Sequence, residues 1–425
     1  MSDLIMNRRR LLGAMSLATF MLTSTSALAE TTVNFLITHS DGRWAEVVEA
    51  FNKQHPDITI NIQVVPFNDL ITAIETRVGR GDSSIDLFYA DTPRIAAMSS
   101  QGYLLNLDDR RQMIEDAVQS DIAMSMVSAG GSVWAYPMWT TSQFLFYNRD
   151  HLAAAGLEAP SAAIADRMTW DKVVADAAAA QKAGAPWGLL FEQVDRYYQL
   201  QALFESAGGG SGLTGENMLE ADITNDAWVK AAQWYGDLFE SGLSPRGITP
   251  GQTTDLFARG EVSYFVSGPW SIGAFEAVEG LNYGIAPHPY FEGGKPVTAT
   301  GSWALAINPA AANLEAARTF AEFATLTEEG SRLSTTLVPN VPMQHEALAE
   351  FQTRFDDLIP KIGPAMEIMS HELANTAIPR PTSTGFIVFE TDIGRAFADI
   401  RNGEPAAEVL EATQQRLEGL LARQR

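Results

Sequence analysis

Along this chain, large rings repeatedly stand beside turn residues and small polar side chains. Trp139 precedes Thr140 and Thr141 in YPMWTTSQF, and Asp195 and Arg196 precede Tyr197 and Tyr198. Trp270 follows Gly268 and Pro269 in SGPW, and Trp303 follows Gly301 and Ser302. Asp91 closes the run LFYAD just before Pro93, and Arg380 lies between prolines in PRPTSTGF. Indole and phenol rings stack on apolar C–H faces, while carboxylates, guanidinium groups and hydroxyls pair with ligand hydroxyls. Together these groups suit recognition of a polyhydroxylated ligand such as a sugar. Each residue also has a plainer role open to it: Asp91 and Asp195 as helix caps, Trp139 and the tyrosines as core.

Residues for covalent chemistry are harder to find. There is no G-x-S-x-G elbow, no H-E-x-x-H and no G-x-x-x-x-G-K loop. The histidines (His39, His55, His151, His288, His345 and His371) are scattered without metal-ligand spacing. No metal and no cofactor is expected. Paired tyrosines can bind ferric iron, but no histidine or carboxylate cluster accompanies Tyr197 and Tyr198. Carboxylates are plentiful, so a secreted glycoside hydrolase is the enzyme alternative, although nothing singles out a pair. The chain has no cysteine, which excludes disulfides, thiolate catalysis and cysteine-ligated metal. A formal charge of −23 argues against a nucleic-acid partner, whose phosphates need clustered Lys and Arg.

The elements that must carry the rings alternate. At roughly 150 residues per domain, 425 residues suggest two or three domains with sizeable cores. Thr32 to Ile37 is expected as a strand, and 43–54 as a helix with Trp44, Val47, Val48 and Phe51 on one face. Ile58, Ile60, Ile62 and Val64 alternate as a strand. Asn68 is expected to cap a helix carrying Ile71, Ile74 and Val78. Ile85 to Tyr89 is a further strand, and Pro93 opens a helix. This β-α-β-α-β-α order implies a parallel sheet covered by helices. A second unit follows, with strands expected at 143–147, 186–191 and 262–266. Its helices run from Trp170, from Tyr197 and around Trp228. Gly268 is expected to supply a permissive turn and Pro269 a first helical position, leaving Trp270 just inside the next helix. Strands at 283–286 and 303–307, a helix at 313–325 and a helical C-terminus complete the chain. In open α/β sheets, ligands bind beyond the C-terminal ends of the strands.

The N-terminus looks like a leader. Asn7-Arg8-Arg9-Arg10 is basic, Leu11 to Leu22 is apolar but short for a membrane span, and Ala27-Leu28-Ala29 has cleavage-site character. Residues 1–29 are therefore expected to be a signal peptide, exported by Sec or Tat, with a mature chain from Glu30 in the periplasm.

The order and spacing of several motifs over nearly the whole mature chain resemble one family. They are LFYADTPRIAAMSSQGYLLNLDD, the series YPMWTTSQFLFYNRDHLAAAGLEAP with MTWDKV, then FARGEVSYFVSGPW, and finally RPTSTGF. The family is the periplasmic solute-binding proteins of ABC importers, in the sugar-binding group that includes maltose-binding protein. The resemblance implies an α/β periplasmic binding protein fold, type II-like, with two lobes, a ligand cleft and a crossover hinge. Lobe one is expected from 30–138 plus 290–340, and lobe two from 139–289 plus 341–425. The crossings are expected near 137–141, 288–296 and 338–342.

By the same resemblance, Thr38 and His39 follow the first strand, where the family places polar sugar contacts; His39 is a departure. Asp91 and Arg94 fall in the segment that carries a hydrogen-bonding Asp-Arg pair. Tyr197 and Trp270 match stacking positions, and Trp303 and Arg380 match cleft-facing ones. Thr141 stands where maltose-binding protein has a carboxylate, which argues against maltodextrin as cargo. The ligand-binding set is then Thr38, His39, Asp91, Arg94, Trp139, Thr141, Asp195, Tyr197, Trp270, Trp303 and Arg380. The implied function is capture of a mono- or disaccharide by a monomer and its delivery to ABC permease subunits, without enzymatic turnover. A polyamine is the alternative cargo on the same fold, favoured by the acidic balance and opposed by Arg94 and Arg380.

Overall fold

The computed structural model describes residues 31–38, 42–336, 340–358 and 363–424. The expected leader, His39, and Val338 and Pro339 of the third expected crossing lie outside the described residues.

The first sheet has six strands in the order Val341–Pro342, Tyr136–Thr141, Gly301–Ile307, Leu87–Asp91, Thr31–Ile37, Ile58–Val64. The last three are parallel, as the alternating N-terminal pattern implies. Gly301–Ile307 then adds antiparallel to Leu87–Asp91, and Tyr136–Thr141 antiparallel to it, so the sheet is mixed. The helix Arg43–Gln54 forms where expected, entered through Gly42 at φ 82, a left-handed geometry that suits glycine. It buries Trp44, Val47 and Phe51, and Phe51 meets Phe320 of the helix Leu314–Leu326 at 5.0 Å. Burying each such side chain fully stabilises by about 1.5–3 kcal/mol.

Two local expectations change. The helix after the second strand begins at Phe67 with Pro66 at its N-cap, so Asn68 lies inside the helix and is not its cap. The third strand starts at Leu87 and not at Ile85, and it runs on through Asp91. Asp86 explains the start: its buried carboxylate accepts from the backbone N–H of Asn34 and of Asn313, both at 2.9 Å. That carboxylate is spent on tying three segments together.

The second sheet has the order Tyr283–Pro287, Phe144–Asn148, Val262–Ser267, Trp187–Phe191. Val262–Ser267 is buried along its whole length, as suits a strand rich in β-branched and aromatic residues with only the small Ser263 and Ser267 between and after them. Thr169 and Asn225 cap the helices that follow them, accepting from Lys172 N–H and Trp228 N–H. In the core beneath, Phe204 stacks on Trp228 at 3.7 Å and on Phe397 of the helix Phe386–Asn402 at 5.3 Å.

The chain leaves the first sheet after Thr141 and enters the second at Phe144, so the passage lies at Ser142 and Gln143. The short strands Thr298–Ala299 and Ala377–Ile378 pair in parallel beside the return. Val341 and Pro342 pair with Thr140 and Trp139 in the first sheet. At Gly268 the expected permissive turn is absent: φ is −122, ordinary extended backbone. Glycine is required there for space, because a Cβ would come within 2.0 Å of the Trp270 ring.

Candidate functional site

Asp91 ends its strand at a point where two other strands bring rings into line. Trp303 is in register with Asp91 on one side and with Trp139 on the other. Tyr89 ties the rings together, lying 5.8 Å from Trp139 and 5.4 Å from Trp303, while its hydroxyl accepts from the Trp44 indole N–H at 2.6 Å. Arg43 covers the Trp139 ring at 4.6 Å. Trp139 is buried under this cover; Trp303 is half-buried.

From Asp91 a charged cluster reaches the second unit. Arg380 donates to both Asp91 oxygens, at 2.7 and 2.5 Å, and Arg196 donates to Oδ2 at 3.2 Å. Arg94, in the turn Thr92–Arg94, donates twice to Oε2 of Glu390, at 3.0 and 2.6 Å. The side chains of Asp91 and Arg380 are 1% and 2% exposed, so these charges are satisfied by one another and hardly by water. Burial acts to raise the Asp91 carboxyl, yet the charge and hydrogen bonds of Arg380, then of Arg94 and Arg196, hold it below the ordinary aspartate range. Arg380 is delivered by a rigid segment: it follows the strand Ala377–Ile378 between two prolines, and the carbonyl of Pro379 accepts from Gln201 at 3.0 Å.

Tyr198 joins the cluster to the aromatic platform. The guanidinium groups of Arg380 and Arg196 lie 4.8 and 5.2 Å from its ring. Its hydroxyl has no hydrogen-bond partner among the described residues and packs where a Cβ on Gly301 would sit 2.7 Å away. Trp270 lies 6.0 Å from Tyr198 at 45° and is half-buried. Its indole N–H donates to Oε2 of Glu192 at 2.6 Å. Burial pushes the Glu192 carboxyl up, against hydrogen bonds from Ser267, Trp270 and Gln199 that favour the charged form.

The structure thus brings Asp91, Arg94, Arg380, Trp139, Trp303 and Trp270 into one connected region. Four other expected residues stand elsewhere or apart. Tyr197 is turned fully inward: its hydroxyl donates to the Ser211 carbonyl at 2.6 Å and its ring meets Phe389 at 5.1 Å. Tyr198, one helical step on, lies against Arg196, Arg380 and Trp270 instead. Asp195 pairs with Arg401 at 3.0 Å on the helix side of the second unit. Thr141 is buried, and its hydroxyl donates to the Ser142 carbonyl at 3.3 Å beside the sulfur of Met369. Thr38 is buried after the first strand, with no partner for its hydroxyl among the described residues. His39 lies outside the described residues.

Glu192, Arg196, Tyr198 and Glu390 were absent from the expected set. Glu192 follows the strand Trp187–Phe191 directly, so the same strand-end reasoning that selected Asp91 could have found it. Glu390, inside a long helix, carries no such signal. Among the described residues no group of three or more His, Asp or Glu side chains is arranged to hold a metal ion.

Residues 38–330 match the family described as bacterial extracellular solute-binding protein. The chain is 25% identical over 250 residues to the maltodextrin-binding protein of Bacillus subtilis, covering 58% of this chain and 57% of that protein. It is 26% identical over 283 residues to the maltooligosaccharide ABC transporter solute-binding lipoprotein of Streptococcus pneumoniae, covering 64% and 63%. The chain spans about three-fifths of the length of the curated relatives it matches. Among solved structures, the GacH receptor of Streptomyces glaucescens, studied unliganded and with acarbose, superposes with a TM-score of 0.79 at 22% identity over 92% of this chain and 99% of that one. Maltose-bound MalE3 of T. maritima gives 0.78 at 19% identity over 92% and 100%. These likenesses assign the fold: a mixed α/β periplasmic binding protein of the maltose-binding type.

Proposed function

We propose, from the premise that this chain belongs to the bacterial extracellular solute-binding protein family, that it captures a carbohydrate for an ABC importer. The observation that carries this reading is the aromatic and guanidinium cluster made by Trp270, Tyr198, Arg380 and Arg196, with Trp270 half-buried at its edge. Rings of this kind stack on the apolar face of a sugar, and guanidinium groups beside them donate to its hydroxyl oxygens. The names of the relatives, which specify maltodextrin and maltooligosaccharide, support a sugar. Arg94, Arg196 and Arg380 at the site oppose a polyamine, whose ammonium groups they would repel.

The cargo we propose is a mono- or disaccharide. It binds between two lobes, one on each sheet, with the passage at Ser142 and Gln143 and with Trp139 to Thr141 and Val341–Pro342 kept in the first, against the expected bounds at 138 and 340, in a monomer held in the periplasm after removal of residues 1–29. Ligand binding shifts an open–closed equilibrium, and the closed form is the one that permease subunits engage. No bond of the sugar is broken in this cycle.

A thermal-shift screen of the mature protein tests the reading, with a panel running from monosaccharides to maltooligosaccharides and including putrescine. A ligand at 100 times its dissociation constant adds about 2.7 kcal/mol of stability. A response to putrescine with none to any sugar reverses the assignment, and turnover of a glycoside by the pure protein overturns it.

A further inference from the structure

We infer that Glu192 is a positioning residue whose carboxylate sets the orientation of the Trp270 indole for ligand stacking. The inference rests on the carbohydrate reading above, because it assigns the ring a ligand face. Glu192 stands at the end of Trp187–Phe191, and its backbone N–H is bonded to the Val266 carbonyl of the neighbouring parallel strand at 2.9 Å. From there its carboxylate reaches past the end of that strand to the turn that carries Trp270. Oε2 accepts from the Trp270 indole at 2.6 Å, from the Ser267 hydroxyl at 2.7 Å and from Gln199 at 3.2 Å. Three donors on one buried oxygen fix that oxygen in place.

The indole is held from a second direction by the backbone. Three atoms of its ring lie 2.0 to 2.5 Å from the point where a Cβ on Gly268 would stand. A ring face closed by the backbone and an N–H edge held by a carboxylate leave the indole little freedom to tilt. An indole N–H is a donor only, so removing the carboxylate leaves it without an acceptor. Gln199 is held in turn by Gln143 at 2.8 Å, and the backbone N–H of Gln143 donates to the Thr298 hydroxyl at 3.2 Å. Gln143 lies in the passage between the two sheets, so the orientation of the ring is referenced to the segment about which the lobes would move.

The test has two readouts. In spectra of protein carrying 15N-labelled tryptophan, the indole resonance lost in Trp270→Phe identifies Trp270. Glu192→Ala is expected to shift that resonance and broaden it, whereas Glu192→Gln, which keeps an acceptor oxygen, keeps it sharp. Glu192→Met replaces the alanine variant if the latter does not fold. An unmoved resonance in both the Ala and Met variants overturns the inference.

The second readout is calorimetric titration with the tightest sugar of the panel above. Glu192→Ala is expected to weaken binding at least tenfold when Trp270 is present and less than twofold in the Trp270→Phe background. Equal losses in both backgrounds overturn the positioning role and leave Glu192 a general structural residue. A Trp270→Phe protein that binds the sugar as the wild type does sinks the site reading, and a panel without any binder sinks the carbohydrate reading. In those two cases the resonance alone decides whether Glu192 orients the ring.

Discussion

Arg380 and Asp91, 289 positions apart in the chain, meet through paired guanidinium–carboxylate hydrogen bonds of 2.7 and 2.5 Å. Asp91 closes a strand of the first sheet, and Arg380 follows the short pairing of Ala377–Ile378 with Thr298–Ala299. Both side chains are buried, so the pair is worth most when complete. Removing one partner of a buried pair costs about 3–5 kcal/mol, because the remaining charge is stranded. Asp91→Ala is therefore expected to lower unfolding stability by about that amount in urea titrations followed by circular dichroism. A change under about 1 kcal/mol would show that the pair behaves as a solvated surface contact.

Gly268 offers a sharper test of the platform than Trp270 alone. Trp270→Ala is expected to leave the fold intact and weaken sugar binding at least tenfold, or about 1.4 kcal/mol. Gly268→Ala keeps the indole but places a methyl group in the space its ring occupies, so the ring must move. Calorimetric affinity should fall for both variants. Unfolding of the alanine variant at 270, with unchanged affinity per folded molecule, identifies the ring as core.

His288 is expected to make the fold acid-sensitive. Its ring is fully buried against Trp170 at 5.4 Å, its Nδ1 faces the Pro289 carbonyl at 2.9 Å, and Arg167, itself paired with Glu372, bonds its backbone carbonyl. Burial, which the bond to Pro289 only partly opposes, pushes its pKa down to about 3. A depressed histidine stabilises the fold above the unfolded value of about 6.5 and loses that contribution as pH falls toward 3. The span corresponds to something on the order of 5 kcal/mol. His288→Asn should flatten the acid limb of unfolding free energy against pH, and an unchanged limb refutes the assignment.

Asp195 gives the opposite slope. Burial raises its carboxyl to about 6, and the charge of Arg401 only partly offsets this. One oxygen meets Arg401 at 3.0 Å, but the other is buried without a partner among the described residues, which is why the ion pair does not win. A raised carboxylate stabilises the fold below the unfolded value near 3.8 and loses that contribution as pH rises through 6. Asp195 is partly solvated, so about 1–2 kcal/mol is expected. Comparing wild type with Asp195→Asn between pH 4 and 7 isolates the term; parallel curves exclude it.

Much of the fold was legible because burial writes itself into periodicity. The helix from Arg43 showed its buried face in Trp44, Val47 and Phe51, and Val262–Ser267 showed its double burial in the lack of any alternating charged or bulky polar residue. What escaped were choices between neighbours. Tyr197 and Tyr198 have the same side chain and differ by one step of helix rotation, and only tertiary packing sends the first inward and the second to the arginines. Glu390 meets Arg94 across 296 positions, and no local pattern encodes such a pairing. Gly268 was selected as glycine for the wrong reason: the constraint comes from a ring two residues later and not from its own dihedral angles.

The placement of Gly301–Ile307 between Leu87–Asp91 and Tyr136–Thr141 also bears on how the chain folds as it is made. Synthesis runs from the N-terminus, and every strand of the second sheet emerges before this central strand does. Until then Leu87–Asp91 has an open edge and Tyr136–Thr141 has no neighbour on that side. Pairings over such long sequence separations form slowly, since loop closure precedes any gain from contact. The first sheet therefore stays incomplete, with its central position empty, for most of the time the chain is being made.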